Sequence, residues 1–222
     1  MDGVFILGTD TNVGKTAIAA GLLKLIYGTH KVAYWKPVQT NTLVSNDTDE
    51  VRILAPLPKE NFLEPKYRFA EPLSPRMAAR KWGKQIEVEE IAREAETQTK
   101  TGTFLLVEGA GGLLLPLNEQ HTQADLIKRL KFPVLLVGTD KVGVINQALL
   151  TLNACKDEKI TVLGMVMTRS NGLFGNSESI SHFGKVEILA EFAPTEDVRT
   201  LVAQVGANTR LREAFNVSAL PH

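Results

Sequence analysis

Three runs, Phe104–Val107, Pro133–Val137 and Val162–Val166, contain no charged or amide side chain and are too short for a buried helix. A strand wetted on one face alternates polar and apolar residues. Uninterrupted runs of this length belong to strands covered on both faces, as in the interior of a parallel sheet. Val4–Leu7 and Val32–Lys36, the latter closed by Pro37, add two more strands. Helical stretches lie between the strands. Lys15–Tyr27 carries Ile18, Leu22 and Ile26 four residues apart, Val88–Thr99 is rich in Glu, Arg and Ala, and helices at 122–130 and 143–156 complete the alternation. This pattern predicts an α/β fold with a doubly wound, mostly parallel sheet, helices on both faces and ligands at the carboxyl ends of the strands. The polar, Gly-containing stretch 169–182 reads as a loop and Val198–Gln204 as a helix, with the last few residues frayed. No repeat or linker interrupts the chain, so residues 1–222 read as one domain.

Between the first strand and the first helix stands Gly8-Thr9-Asp10-Thr11-Asn12-Val13-Gly14-Lys15-Thr16. Glycines let the backbone fold around an anion, and the amides at a helix start point at it. Lys15 adds a cation for the β- and γ-phosphates and Thr16 a hydroxyl for Mg²⁺. The spacing is irregular, with five residues rather than four between Gly8 and Gly14.

Charge argues against large polyanionic partners. Lys+Arg and Asp+Glu are both 25, a net charge of zero, which disfavours binding to nucleic acid or an anionic membrane. A single cysteine, Cys155, and a start without a secretory leader predict a cytoplasmic protein without disulfides.

Mg²⁺ on nucleotide phosphates takes one or two protein carboxylates. Glu108 ends an apolar strand and precedes Gly109-Ala110-Gly111-Gly112, which places it at a crevice; a solvated turn residue is the plainer alternative. Asp47 and Asp49 follow the second strand, where helix capping by Asp47 or Thr48 is equally compatible with the pattern. Lys36 also ends a strand, and its ammonium would either serve a second anion or snorkel to solvent.

Gly8–Thr16, Lys36-Pro-Val-Gln-Thr40, Ala70-Glu-Pro-Leu-Ser-Pro75, Val107-Glu-Gly-Ala-Gly-Gly112 and Gly143-Val-Ile-Asn146 occur in this order. Together they closely resemble the dethiobiotin synthetases, whose phosphate loop carries the same displaced glycine. The resemblance implies a P-loop NTPase-like fold. It implies an ATP-dependent cyclo-ligase that converts 7,8-diaminopelargonic acid and CO₂ to dethiobiotin through a carbamate and a carbamic–phosphoric anhydride. On the matching positions it implies Lys36, Lys15 and Thr11 as catalytic. Asn12, Val13, Gly14, Lys15, Thr16, Ala17, Asp49, Glu108, Gly109, Ala110, Gly111 and Thr168 would bind nucleotide. Thr16, Asp49 and Glu108 would hold Mg²⁺, with Asp49 chosen over Asp47 by alignment to the family's acid. Thr40, Gly111 and Gly143, Val144, Ile145 and Asn146 would bind substrate, the last four across the interface of a homodimer. Pro72 and Pro75 would line the diamine's aliphatic chain.

Two positions depart from the family pattern. Asn12 replaces a common Glu, and Thr168 occupies the place of a base-contacting Asn, which leaves base selectivity open. Two other functions share the phosphate loop. A cobyrinic-acid-type amidoligase would need room for a glutaminase with a nucleophilic Cys. A ParA/MinD-like switch would need a Lys between Gly8 and Lys15, and none is there.

Overall fold

The computed structural model describes residues 1–44, 46–172 and 175–216. In chain order the elements begin β1 (Gly3–Gly8), α1 (Lys15–Ile26), β2 (Val32–Trp35), β3 (Val38–Gln39) and α2 (Asp47–Leu54). There follow β4 (Phe62–Leu63), β5 (Tyr67–Arg68), α3 (Pro75–Lys81), α4 (Val88–Lys100) and β6 (Phe104–Glu108). The remainder is α5 (Gln123–Leu130), β7 (Val134–Thr139), α6 (Val144–Asp157), β8 (Val162–Thr168), α7 (Asn176–Gly184), β9 (Ile188–Glu191), α8 (Val198–Gly206) and α9 (Thr209–Ala214).

Seven strands form one parallel sheet in the order β4-β2-β6-β1-β7-β8-β9, and β3 pairs with β5 beside it. The chain builds outward from β1 in both directions, so the switch point falls between β6 and β7, at the carboxyl end of β1. Diverging connections open a crevice there, and the loop after β1 is the glycine-rich one.

The continuous apolar runs are explained by two separate cores. Phe5 and Leu7 of β1, with Leu105 and Val107 of β6, face a layer that includes α3 to α7. Val4 and Ile6, with Leu106 and Val137, face α1, α2, α8 and α9. Neither face of β1 or β6 is left for a polar residue until the strands end, and there Glu108 and the loop after β1 line one cleft.

Most predicted elements are present within one or two residues of their expected ends. The expected loop over 169–182 is shorter than its composition suggested, because α7 starts at Asn176. Ile180 is fully buried against the first core and fixes that turn, while Glu178 lies in the first turn, where a negative charge complements the helix dipole. The fraying expected at the end of the chain concerns 217–222, outside the described residues. No helix among the described residues is long and apolar enough to cross a membrane.

Helix α1 approaches α8 closely at Gly21, where an added Cβ would stand 2.4 Å from Cβ of Val205. Overpacking a contact of this kind costs about 1–3 kcal/mol. Gly21→Val is therefore expected to lower the unfolding free energy by about that amount in urea titrations, although glycine is ordinarily the poorer helix residue.

Candidate active site

Helix α1 opens at Gly14, whose φ of 93° lies in the left-handed region that glycine accepts without strain. Residue 8 must also be small, since a Cβ there would stand 2.6 Å from the Asp10 carbonyl oxygen and 2.9 Å from Lys15 Nζ. The loop so formed lines a cleft of about 1030 Å³ together with Lys36, Gln39, Thr40, Asp47, Glu108, Ala110 and Gly111. Pro72, Leu73, Ser74 and Pro75 form another part of its wall, and Thr168, Arg169, Ala193 and Glu196 a further part.

Glu108, only 1% exposed, is the hub of the cleft. Its Oε1 accepts from the Thr16 hydroxyl at 3.1 Å and from Lys36 Nζ at 3.1 Å. Its Oε2 accepts from the Tyr34 hydroxyl at 2.9 Å. Lys36 also pairs with the Asp47 carboxylate. Lys15, 7% exposed, is turned back onto its own loop, donating to the Asp10 carbonyl at 3.3 Å.

The electrostatics follow from burial. Burial pulls the Lys15 ammonium below its ordinary value, against the opposing pull of Glu108, and Lys36 lowers it further. Burial and the adjacent Glu108 carboxylate push the Tyr34 phenol well above its usual range, so it serves as a hydrogen donor. Burial, then the Glu108 charge, also raises Glu50 on the cleft wall. These groups make a shielded site with two ammonium groups, suited to anions and to a hard cation.

The structure gathers the loop residues Thr11, Asn12, Val13, Gly14, Lys15, Thr16 and Ala17 with Lys36, Thr40, Glu108, Ala110, Gly111 and Thr168 around one cleft. Gly109 lies outside its lining; its amide continues the β1 pairing by donating to the Ile6 carbonyl at 3.1 Å.

The carboxylate of Asp49 is not in the cleft. It accepts from Asn46 Nδ2 at 2.6 Å and from Arg52 at 2.9 Å, and borders a separate hollow with Leu43 and Ile53. Asp47 is the acid that faces Lys36. Residues two apart on a helix point to different sides, so α2 can turn only one of the pair inward. Asn46 caps α2 by accepting from the Thr48 amide, and Gln39 accepts from the Asp47 amide, which fixes Asp47 as the inward residue. Gly143, Val144, Ile145 and Asn146 start α6 and do not line this chain's own cleft.

Sequence reasoning passed over Tyr34 and Gln123. Tyr34 stands two residues before Lys36, the period at which strand residues share a face. Gln123 accepts from the Ala110 amide at 2.7 Å and donates to the Gly112 carbonyl at 3.0 Å, holding the turn after Glu108. Cys155 is buried, and burial pushes its thiol up to about 11, which removes it as a nucleophile.

The family model described as an AAA domain matches residues 2–200. The ATP-dependent dethiobiotin synthetase of Paramagnetospirillum magneticum is 37% identical over 196 residues, covering 87% of this chain and 89% of the relative. The chain belongs to the dethiobiotin synthetase family. A dethiobiotin synthetase of Lawsonia intracellularis is 35% identical and is matched over 98% of its length, with 96% of this chain covered. The bifunctional biotin biosynthesis protein of Bordetella avium is 39% identical over 88% of this chain, which spans 40% of that longer protein. Among solved structures, the Cyanothece McdA–ATP complex aligns with a TM-score of 0.63 at 15% identity, covering 100% of this chain and 99% of that one. Pyrococcus furiosus cell division ATPase MinD aligns at 0.61 and 15%, covering 98% of both chains. At that identity the likeness is one of fold.

Removing the Tyr34 hydroxyl would leave one oxygen of a buried carboxylate without its donor. Tyr34→Phe is expected to destabilise the chain by about 1–3 kcal/mol in denaturant melts while leaving the fold intact by circular dichroism.

Proposed function

We propose that the chain is an ATP-dependent cyclo-ligase that closes the ureido ring of dethiobiotin from 7,8-diaminopelargonic acid and CO₂. The observation that carries this reading is the pair of buried lysines, Lys15 and Lys36, facing the same cleft with Glu108 between the phosphate loop and Lys36. A simple nucleotide site needs the first lysine. A second one, on another strand end, suits a site that must also hold an anion beside the γ-phosphate.

The reaction explains why. One amine of the diamine adds to CO₂, forming an N–C bond and releasing a proton. A carbamate oxygen then attacks the γ-phosphorus and the bond to ADP breaks, giving a carbamic–phosphoric anhydride. The second amine attacks the carbamoyl carbon, closes the ring and expels phosphate. Carbamate and triphosphate repel each other, so the site must supply positive charge and hold both reactants in line. Lys15 serves the β- and γ-phosphates, and Lys36 the carbamate oxygen and the transferring phosphoryl group. Thr11, on the loop above them, donates to the reacting oxygens. Thr40 and the Pro72–Pro75 wall border the part of the cleft suited to the diamine.

The donor set suits Mg²⁺. Thr16, Glu108 and Asp47 offer only hard oxygens, and the Lys36 ammonium already sits between the two carboxylates. No group of three or more His, Cys, Asp and Glu side chains is assembled among the described residues, which fits an ion that takes few protein carboxylates and completes its shell with phosphates and water. Thr16, Asp47 and Glu108 are the residues that would hold Mg²⁺, and the ion would supply neutralising charge to the phosphates there. Asp47 takes the role that alignment had given to Asp49.

A second copy of the chain belongs to this reading. The turn before α6 exposes Val142 fully, and α6 itself carries an exposed Leu150. Its amino-terminal amides at Gly143–Asn146 would meet the substrate carboxylate of the partner's site.

Mass detection of the cyclic urea after incubation with diaminopelargonate, bicarbonate and ATP tests the proposal; phosphate release that needs neither co-substrate would reject it. Lys36→Gln is expected to cut kcat by about 10²–10³, on the scale of a lost transition-state charge contact, with the fold retained by circular dichroism but the melting temperature lowered, since the buried Glu108 loses a charged donor. Asp47→Asn is expected to raise the Mg²⁺ needed for half-maximal turnover, while Asp49→Asn leaves the Mg²⁺ titration unchanged. The reverse pattern would return the metal to Asp49.

A further inference from the structure

Thr168 ends β8 at the position where its family counterpart would read the base. Its side chain is committed elsewhere. The hydroxyl, 3% exposed as a residue, donates to the Val13 carbonyl at 2.9 Å, with the Gly138 carbonyl a longer second acceptor at 3.3 Å. Thr139, its partner in the β7–β8 register, lies 2.9 Å away and can donate to the same oxygen. The two hydroxyls thus form a chain, Thr139 to Thr168 to Val13, in which each bond polarises the next. The methyl group packs on the loop as well, 3.3 Å from where a Cβ on Gly14 would stand.

The consequence lies in the peptide between Val13 and Gly14. A trans peptide is planar, and its C=O and N–H point in opposite directions. Fixing the Val13 carbonyl on Thr168 therefore turns the Gly14 N–H away from β8. Gly14 is the N-cap of α1 and has no side chain with which to cap it, so the free amides of that first turn are satisfied by an anion or by water.

We infer that Thr168 is a positioning residue for phosphate binding. It locks the 13–14 peptide with its amide toward the anion and does not read the base. The inference rests on the ATP-binding reading above but not on the ligase chemistry. It also means that base preference is set by the other residues on that wall, among them Arg169 and Glu196.

Inorganic tripolyphosphate, which has no base, separates the roles. Binding of Mg²⁺–tripolyphosphate, ATP and GTP to the full chain is measured by calorimetry for the wild type, Thr168→Val and Thr168→Ser. Thr168→Val keeps the shape and loses the donor. It is expected to weaken tripolyphosphate and ATP alike, by about tenfold, the worth of one hydrogen bond to an otherwise orphaned carbonyl. The ATP-to-GTP ratio should not move, and Thr168→Ser should bind like the wild type. If Thr168→Val does not fold, Thr168→Cys, with a weaker donor of similar size, should lose severalfold for both ligands. Loss for ATP with tripolyphosphate unaffected, a shifted ATP-to-GTP ratio, or no loss for either ligand would overturn the inference. Failure of the wild type to bind either polyphosphate would instead sink the phosphate-loop reading beneath it, whereas intact binding without ring closure would sink the ligase reading alone.

Discussion

A carboxylate that is almost wholly out of water must be surrounded by donors, and Glu108 is surrounded by three: Thr16 from α1, Tyr34 from β2 and Lys36 just beyond β2. Burying such a charge is costly, and leaving it without a partner costs several kcal/mol more. The three donors come from two different chain segments that the sheet brings to the same edge. The ion pair to Asp47 then recruits α2. One buried anion thus ties the phosphate helix, the second strand and the helix after it into a fixed frame.

That frame exists because of topology. Strand β1 lies between β6 and β7, with β2 on the far side of β6. Hence the ends of β1, β2 and β6 deliver the phosphate loop, Lys36 and Glu108 to one crevice. Because both faces of these strands are spent on apolar packing, chemistry is confined to their carboxyl termini. The second sheet of β3 and β5 carries Gln39, whose side chain fixes the start of α2, so even this small element orients a charged group of the cleft.

Much of this was legible in the residues. The unbroken apolar runs specify buried parallel strands by themselves, and a charged residue at the end of such a run stands out against the pattern, as Glu108 and Lys36 do. Other features depend on tertiary context. The choice between Asp47 and Asp49 turns on which way α2 is rotated, and that is set by Asn46 and by Gln39 from another strand. Tyr34 reads as one more apolar strand residue until Glu108 is placed across from it. The Gly/Ser-rich composition before Ile180 hides α7, which is held by the burial of a single side chain, and β9 is a four-residue strand on the sheet's outer edge. At Thr168 the sequence identifies the position and not its role, because the acceptor of the hydroxyl lies 155 residues away.

The packing of α1 has a consequence for biosynthesis. The helix that carries the phosphate loop is roofed by Val202, Val205, Leu211 and Phe215 from α8 and α9, near the other end of the chain. A nascent chain emerging from the ribosome would have made its anion cradle well before the covering that α8 and α9 supply. Until that roof arrives, the apolar side of α1 stays wet, so the nucleotide pocket reaches its working shape only after α8 and α9 have been made.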